Sequence, residues 1–554
     1  MATIEQGNPA REVLNQPPPL AGRNLFTENT PLVEAVRREG ADWAEERLVA
    51  LGAESGEAAA TELGRLANEN PPVLHTHDRF GHRIDEVEFH PAWHELLDLS
   101  VRHGTHALPW REPGPGAHVT RAAMMLCGSG LESGHGCPIS MTYAAVPVLR
   151  RQPELAAEWE PRLTSLSYDR RFVPAEGKSG ALAGMAMTER QGGSDVRANT
   201  TLARPLNGGG AGAEYELTGH KWFCSAPMCD MFLVLAQTDG GLSCFLLPRW
   251  TPDGERNRFH IQRLKDKLGN RSNASSEVEF DAAWARMVGE EGRGVPTIIE
   301  MVNFTRLDCV LGSTGLMREA VAQAIHHCSH RAAFGRLLAE QPLMQNVLAD
   351  LAVESEAATI TALRLARAVD EGFEDRSAVL FKRLALAVSK YWVCKSATWH
   401  VAEALECLGG NGYVELSGMP RAYREAPLNS IWEGSGNVNC LDVLRAMMRT
   451  PEAVEAFFDE VESASGAEPR LDAYVRDVKA SLADAEGIEA RARRIVEEMG
   501  VALQASLLVR YGDPAVADAF CVSRLAGDRG RALGTLPAGV DFARIIERHS
   551  PAAA

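Results

Sequence analysis

The chain has 11 cysteines and no C-x-x-C pair among them, which argues against a structural zinc site or a disulfide framework and fits buried thiols in a reducing compartment. No stretch approaches the roughly 18 apolar residues that a spanning helix needs. The opening MATIEQGNPARE has neither the basic start nor the apolar run of a secretory signal. A cytoplasmic protein with no membrane partner is the expectation. Positive charge is in deficit, with 57 Lys plus Arg against 74 Asp plus Glu and a net charge of -17. Such a chain repels DNA over the molecule as a whole, so any polyanion site has to be a local basic patch.

Several chemical signatures are missing as well. There is no Walker sequence, no G-x-G-x-x-G after a strand, no G-x-S-x-G elbow and no H-E-x-x-H, which disfavours P-loop and Rossmann nucleotide folds, serine hydrolases and zinc proteases. His326, His327 and His330 lie close together on one helical segment, but no carboxylate accompanies them, and no metal is expected. Fixed-period repeats and low-complexity tracts are also absent.

What is present is an ordinary globular composition, 45% hydrophobic and 24% charged over 554 residues, long enough for several packed units. Residues 1–29, with Pro17, Pro18 and Pro19, read as an extended arm that packs on something else. Helical spacing dominates residues 30–183. Short apolar segments at Tyr215–Leu217, Met231–Leu235, Ser243–Leu247 and Ser276–Phe280, separated by Gly-rich turns, predict a small β domain over 184–290. Three long helical runs and a fourth from about Asn437 predict a four-helix bundle over 291–448, with Leu307, Val310, Leu311, Met317, Val321, Ala324 and Ile325 as one buried stripe. Residues 449–554 read as an added helical module. The fold class is α+β.

Five segments carry possible chemistry, and each has a plainer reading. AMTERQGGSD, from Ala186, places Met187, Thr188, Gly193 and Ser194 where hydroxyls and loop amides can reach a ring edge or phosphate, or where a Gly-Gly turn is simply capped. TGHKWFCS sets Phe223 beside Ser225, as a wall for a planar group or as core. Arg331 and Phe334, after the first long helix, offer a bidentate phosphate ligand and an aromatic, or only a complement to the helix dipole. Gly409 and Gly410 expose backbone amides or turn the chain. NSIWEGSGN holds Glu433 in a loop beside Trp432, ahead of a helix expected to be capped by Asn437; a carboxylate desolvated there is a general-base candidate, and otherwise a helix-entry glutamate.

In order and together, these segments resemble the acyl-CoA dehydrogenase family over about residues 30–445. AMTERQGGSDV, TGHKWF, RLKDKLGNRSNAS and NSIWEGSGN are similar to its AidB-type branch, the alkylation-response flavoproteins. The resemblance implies an N-terminal helical domain, a middle β domain, a C-terminal four-helix bundle and FAD as cofactor. It assigns Met187, Thr188, Gly193 and Ser194 to the flavin and its pyrophosphate. Phe223 stands where the family commonly has a tryptophan over the flavin, and Ser225 where it has a threonine near the ring nitrogen that takes hydride. It assigns Arg331 and Phe334 to the adenine half of FAD in a neighbouring subunit, Gly409 and Gly410 to its phosphates, and Ser435 and Asn437 to the nucleotide. Glu433 matches the catalytic base. The isovaleryl type keeps its base near the position of Arg306, where this chain has Thr305; Glu406 departs from the family's usual glutamine.

The implied activity is α,β-dehydrogenation of an acyl-CoA by a homotetramer, with an electron-transfer flavoprotein as a candidate partner. The AidB likeness adds double-stranded DNA as a second candidate and a protective DNA-binding flavoprotein as the alternative function. Residues 451–554 carry 12 Lys plus Arg against 18 Asp plus Glu, a net of -6. Arginines for DNA would therefore have to cluster, as Arg491, Arg493 and Arg494 or as Arg524, Arg529 and Arg531.

Overall fold

The structure, a computed structural model, describes residues 13–551, so the first part of the expected arm lies outside the described residues. From Asn15 onward the arm runs back along its own chain. Asn15 Nδ2 donates to the Ala332 carbonyl (2.8 Å), the Arg331 guanidinium donates to the Asn15 carbonyl, and Asn411 Nδ2 donates to Gln16 Oε1 (3.1 Å).

The N-terminal region contains α1 (Thr30–Arg38), α2 (Glu45–Ser55) and α3 (Ala58–Glu69), then a hairpin of β1 (Val73–His77) and β2 (Arg83–Glu88). This hairpin corrects the purely helical reading of 30–183. Asp78 Oδ1 accepts from the N–H groups of Phe80 (2.8 Å) and His82 (2.9 Å), and Gly81 takes φ +91°, so the chain reverses tightly. The strands are half-exposed and polar, which leaves no apolar alternation to reveal them. Helices α4 (Pro91–Arg102), α5 (Leu108–Arg111), α6 (Ala117–Leu131), α7 (Gly136–Leu149) and α8 (Pro153–Leu163) follow; α6 and α7 are buried on nearly every side.

The sheet comprises β3 (Ala183–Ala186), β4 (Leu202–Pro205), β5 (Glu214–Ser225), β6 (Met231–Thr238), β7 (Gly241–Pro248), β8 (Phe259–Leu264) and β9 (Ser275–Val288). Its order is β3-β6-β4-β5-β9-β7, with β8 on β9; β7 also pairs with β6, so the path returns on itself around Phe232, Phe245, Phe259 and Tyr215.

Helix α9 (Gly294–His330) spans roughly 55 Å at 1.5 Å per residue. The predicted stripe from Leu307 to Ile325 is buried throughout. After a short ribbon of β10 (Ala332–Ala333) and β11 (Arg336–Leu337), α10 (Pro342–Glu371), α11 (Arg376–Cys407), a short α12 (Met419–Glu425) and α13 (Gly436–Arg449) complete the bundle. Arg121 of α6 and Asp308 of α9 form a buried ion pair that locks the N-terminal helices to the bundle. The added module, α14 (Pro451–Glu462), α15 (Pro469–Ala483), α16 (Ile488–Tyr511), α17 (Pro514–Phe520) and α18 (Phe542–His549), packs on α10 and α11 through Phe457, Ile495, Met499 and Leu503.

Candidate functional site

A cavity of about 660 Å³ lies where α6, α7, the β domain, α9 and the 428–435 loop meet. It is lined mainly by apolar side chains such as Met124, Met141, Met185, Ile298 and Val302, with a limited set of polar groups, the usual make-up of a ligand site.

One wall is the Met187–Ser194 loop. Glu189 anchors it from below: its carboxylate accepts from Lys221 Nζ (2.8 Å), Thr201 Oγ1 (2.6 Å) and the Thr200 N–H (2.7 Å), and both members of the ion pair are fully buried. Burial pulls the Lys221 ammonium down to about 8, with Glu189 acting against it. The Trp222 N–H donates to the Thr188 carbonyl (2.8 Å), stitching the loop to β5. A Cβ at Gly193 would sit 2.4 Å from Thr188 Oγ1, so only glycine allows the loop to fold onto that hydroxyl. Strand β5 then presents Phe223, half-exposed, and Ser225, whose Oγ lies 3.5 Å from Ser275 Oγ. Among the described residues, the hydroxyls of Thr188 and Ser194 have no protein partner.

The facing wall is the Glu433 loop. Glu433 and Gly434 both take left-handed backbone, φ +55° and +100°. For a glutamate this costs on the order of 1–3 kcal/mol and persists only where surroundings impose it. Those surroundings are explicit. Arg306 Nε donates to the Glu433 carbonyl (2.9 Å), Lys390 Nζ to the carbonyls of Trp432 (2.7 Å) and Gly434 (2.6 Å), and Trp432 Nε1 to Asn429 Oδ1 (2.9 Å). Asp442 holds Arg306 in turn, at 2.9 Å. A Cβ on Gly434 would press on Asn439 Nδ2 at 3.2 Å and Arg306 Nη2 at 3.4 Å. The residue Glu433 is half-buried because one edge meets the cavity, while its carboxyl is enclosed by protein. Burial raises its pKa above the ordinary carboxylate range; a bond from Thr305 Oγ1 to Oε2 (2.8 Å) and the charges of Lys390 and Arg306 act in the opposite direction.

The structure thus gathers Met187, Thr188, Gly193, Ser194, Phe223, Ser225, Glu433 and Ser435 around one cavity. Arg331, Phe334, Gly409, Gly410 and Asn437 lie outside its lining. Phe334 is 99% exposed, and Tyr413 and Leu416 beside the Gly409 turn are 84% and 78% exposed. Asn437 does not cap its helix: Ser435 occupies that place with extended backbone and no side-chain cap bond, and Asn437 falls inside the first turn. Residues not singled out from sequence are Glu189, Lys221, Lys390, Asn439 and Asp442. Lys221 and Lys390 do carry a signal, a lysine inside an apolar run.

The arginines considered for DNA are largely engaged inside the chain. Arg524 is buried against Asp350 and Glu354, Arg529 lies 3.8 Å from Glu354, Arg491 donates to the carbonyls of Ser481, Asp484 and Glu486, and Arg493 donates to Tyr391. Arg494 is exposed but paired with Glu498 at 2.7 Å.

Comparison with known proteins agrees with the order of the helical, strand and helical regions. Residues 15–170 match the family described as "Adaptive response protein AidB N-terminal domain", 184–283 the "Acyl-CoA dehydrogenase, middle domain" and 292–448 the "Acyl-CoA dehydrogenase, C-terminal domain". The chain is 45% identical to "Putative acyl-CoA dehydrogenase AidB" of Escherichia coli (strain K12) over 92% of this chain and 93% of that protein. It is 32% identical to "Acyl-CoA dehydrogenase family member 11" of Caenorhabditis elegans over 73% of this chain and 67% of that one. The crystal structure of Caenorhabditis elegans ACDH-11 in complex with C11-CoA superposes with a TM-score of 0.86 at 26% identity, covering 95% of each chain.

Proposed function

The chain belongs to the acyl-CoA dehydrogenase family, in its AidB branch, and from that premise we propose that it is an FAD-dependent oxidoreductase that introduces a double bond between the α and β carbons of an acyl-CoA thioester, with Glu433 as base. The observation that carries this reading is the carboxyl of Glu433, enclosed, raised in pKa and held in left-handed backbone on the wall of an apolar cavity. A base tuned upward by burial is matched to proton abstraction near neutral pH.

The cavity suits a planar cofactor at its Thr188–Ser194 end, where unpartnered hydroxyls and the Phe223 ring line one surface. Met187, Thr188, Gly193, Ser194 and Ser225 would hold the flavin there, and Ser435 its nucleotide side. FAD, the family's cofactor, supplies the two-electron acceptor for the β hydrogen when bound. The protein's own part is positional. Among the described residues the Glu433 N–H has no protein acceptor, which leaves it free to bond the thioester carbonyl and acidify the α carbon. The side chain then removes the α proton, Thr305 keeps Oε2 in place, and the apolar walls exclude water, which strengthens both interactions.

Arg331, Phe334, Gly409, Gly410 and Asn437 complete the nucleotide site only with a second copy of the chain, so we assign a homo-oligomer, with the tetramer as the family's form. The divisions at about 183, 290 and 448 separate its domains. An electron-transfer flavoprotein is the acceptor to test first. The DNA-binding alternative finds no exposed, unpaired arginine cluster among the residues considered for it.

Anaerobic titration of the yellow protein with a panel of acyl-CoAs tests the proposal. Bleaching of the flavin band that disappears in Glu433→Gln is expected; no bleaching with any thioester overturns it.

A further inference from the structure

The cavity has a second, polar surface that the dehydrogenation chemistry does not use. Ser100 near the end of α4, Glu132 at the end of α6 and His135 at the start of α7 form a linked set, all buried and all on the cavity lining. His135 Nδ1 lies 2.9 Å from Glu132 Oε2, and His135 Nε2 lies 3.1 Å from Ser100 Oγ. Glu132 is fixed in its ionised form. Burial pushes its carboxyl up, but bonds from His135, the His135 and Gly134 N–H groups and Ser272 Oγ (2.6 Å) outweigh that and hold it at about 2. A carboxylate only accepts, so Nδ1 carries a proton toward Glu132. The Ser100 hydroxyl, which can donate or accept, bonds Nε2 and has no second protein partner among the described residues where it meets the cavity.

Beside this set stands Glu425, whose oxygens accept from the Asn270 N–H (2.7 Å) and Nδ2 (2.9 Å). Burial and the neighbouring Glu132 charge raise it to about 7, so near neutral pH a substantial share of Glu425 carries a proton it can donate. The wall therefore sets a hydroxyl with an unfilled bonding position beside a carboxyl that donates when protonated. A terminal carboxylate would meet the charges of Glu132 and the ionised share of Glu425, offset in part by Lys267, whose ammonium is bonded to the Asn273 carbonyl and Ser275 Oγ, and a plain alkyl end would desolvate these groups without replacing their bonds with water.

The linked serine, histidine and glutamate are spaced like a hydrolytic triad. Ser100, however, sits in the last turns of a helix whose N–H groups are spent on helical bonds, so its own backbone offers no pair of donors to an oxyanion. The arrangement is built to bind rather than to attack.

We propose that Ser100, His135, Glu132 and Glu425 form a subsite for the distal end of the acyl group, and that the preferred thioesters end in an uncharged hydroxyl rather than in a methyl or a carboxylate. This rests on the acyl-CoA reading of the cavity. The test uses the full-length FAD-loaded protein and matched thioesters of increasing length, beginning with 4-hydroxybutyryl-CoA, valeryl-CoA and glutaryl-CoA. Dissociation constants come from calorimetry on the Glu433→Gln protein, which cannot turn over, and kcat/KM from the unmodified enzyme.

In at least one length series the hydroxyl compound should bind about tenfold or more tightly than its methyl isostere, because a site made for a hydroxyl penalises its absence. In Ser100→Ala that preference should vanish while binding of the methyl compound is kept. The comparison within the unmodified protein stands even if the variant folds poorly. Equal or tighter binding of the methyl or carboxylate compounds at every length overturns this inference alone, whereas no binding by any thioester overturns the acyl-CoA reading together with it.

Discussion

The two ends of the proposed nucleotide site are built differently. At the cavity end, Glu433 and the 187–194 loop are fixed by buried partners from their own chain: Thr305, Arg306 and Lys390 on one side, Glu189 and Lys221 on the other. At the outer end, the Arg331 side chain is tied, among the described residues, only to the arm at Asn15, Phe334 stands 99% exposed, and no described atom lies within 4 Å of a Cβ added at Gly409 or Gly410. A left-handed glutamate survives where several donors converge on its backbone. A fully exposed phenylalanine, with Tyr413 and Leu416 also exposed after the Gly409 turn, is what the proposed oligomer would cover. On the proposed reading, chemistry at the first end would be a property of one chain, and retention of the nucleotide at the second a property of the assembly.

This contrast can be broken from either side. The largest effect is expected for Glu433→Gln, which should lower kcat by about 10²–10⁴-fold with FAD content unchanged; stopped-flow reduction by acyl-CoA measures it. Next comes Glu189→Gln, which strands a buried ammonium and should cost about 3–5 kcal/mol in urea unfolding, with loss of order in the 187–194 loop. Lys221→Met together with Glu189→Leu should recover much of that loss, since a buried pair replaced by apolar groups of similar size is often neutral.

At the outer end, Phe334→Asp should convert the oligomer to smaller species in sedimentation and loosen FAD by about tenfold or more. The far-ultraviolet dichroism and the Glu433 surroundings should stay intact, because nothing among the described residues packs on that ring. Unchanged mass and affinity would show that the exposed patch is not an interface.

The smallest effect sharpens the cavity end. Thr305 bonds the ionised carboxylate and lowers its pKa against the upward push of burial. In Thr305→Val the folded pKa must therefore rise, and the acidic limb of kcat/KM should move to higher pH by roughly one unit, since a hydrogen bond to a charged group is worth on the order of 1.5 kcal/mol or more. A shift toward lower pH would contradict the assigned bond.

Much of this was legible in the chain. The α9 stripe follows from helical period alone, and the β6 and β7 segments from short apolar runs, because burial of one face imposes a periodicity that survives in the sequence. The hairpin from Val73 to Glu88 was not legible, because half-exposed strands carry His, Thr, Arg and Glu on both faces. Asn437 was misjudged as a cap: the cap position is two residues earlier, at Ser435, and a shift of that size lies below what residue preferences resolve.

The amino-acid order by itself determined the alternation of helical, strand and helical regions and the presence of a lone carboxylate between Trp432 and Gly434. Tertiary structure decided the rest. Which lysine braces which carbonyl, that Thr305 faces Glu433 across 128 positions, and that Ser100 meets His135 are outcomes of distant segments packing together. Local preference fixes dihedral angles within a few residues, but desolvation and hydrogen bonding in a closed cavity depend on groups the chain brings together only once its core has formed.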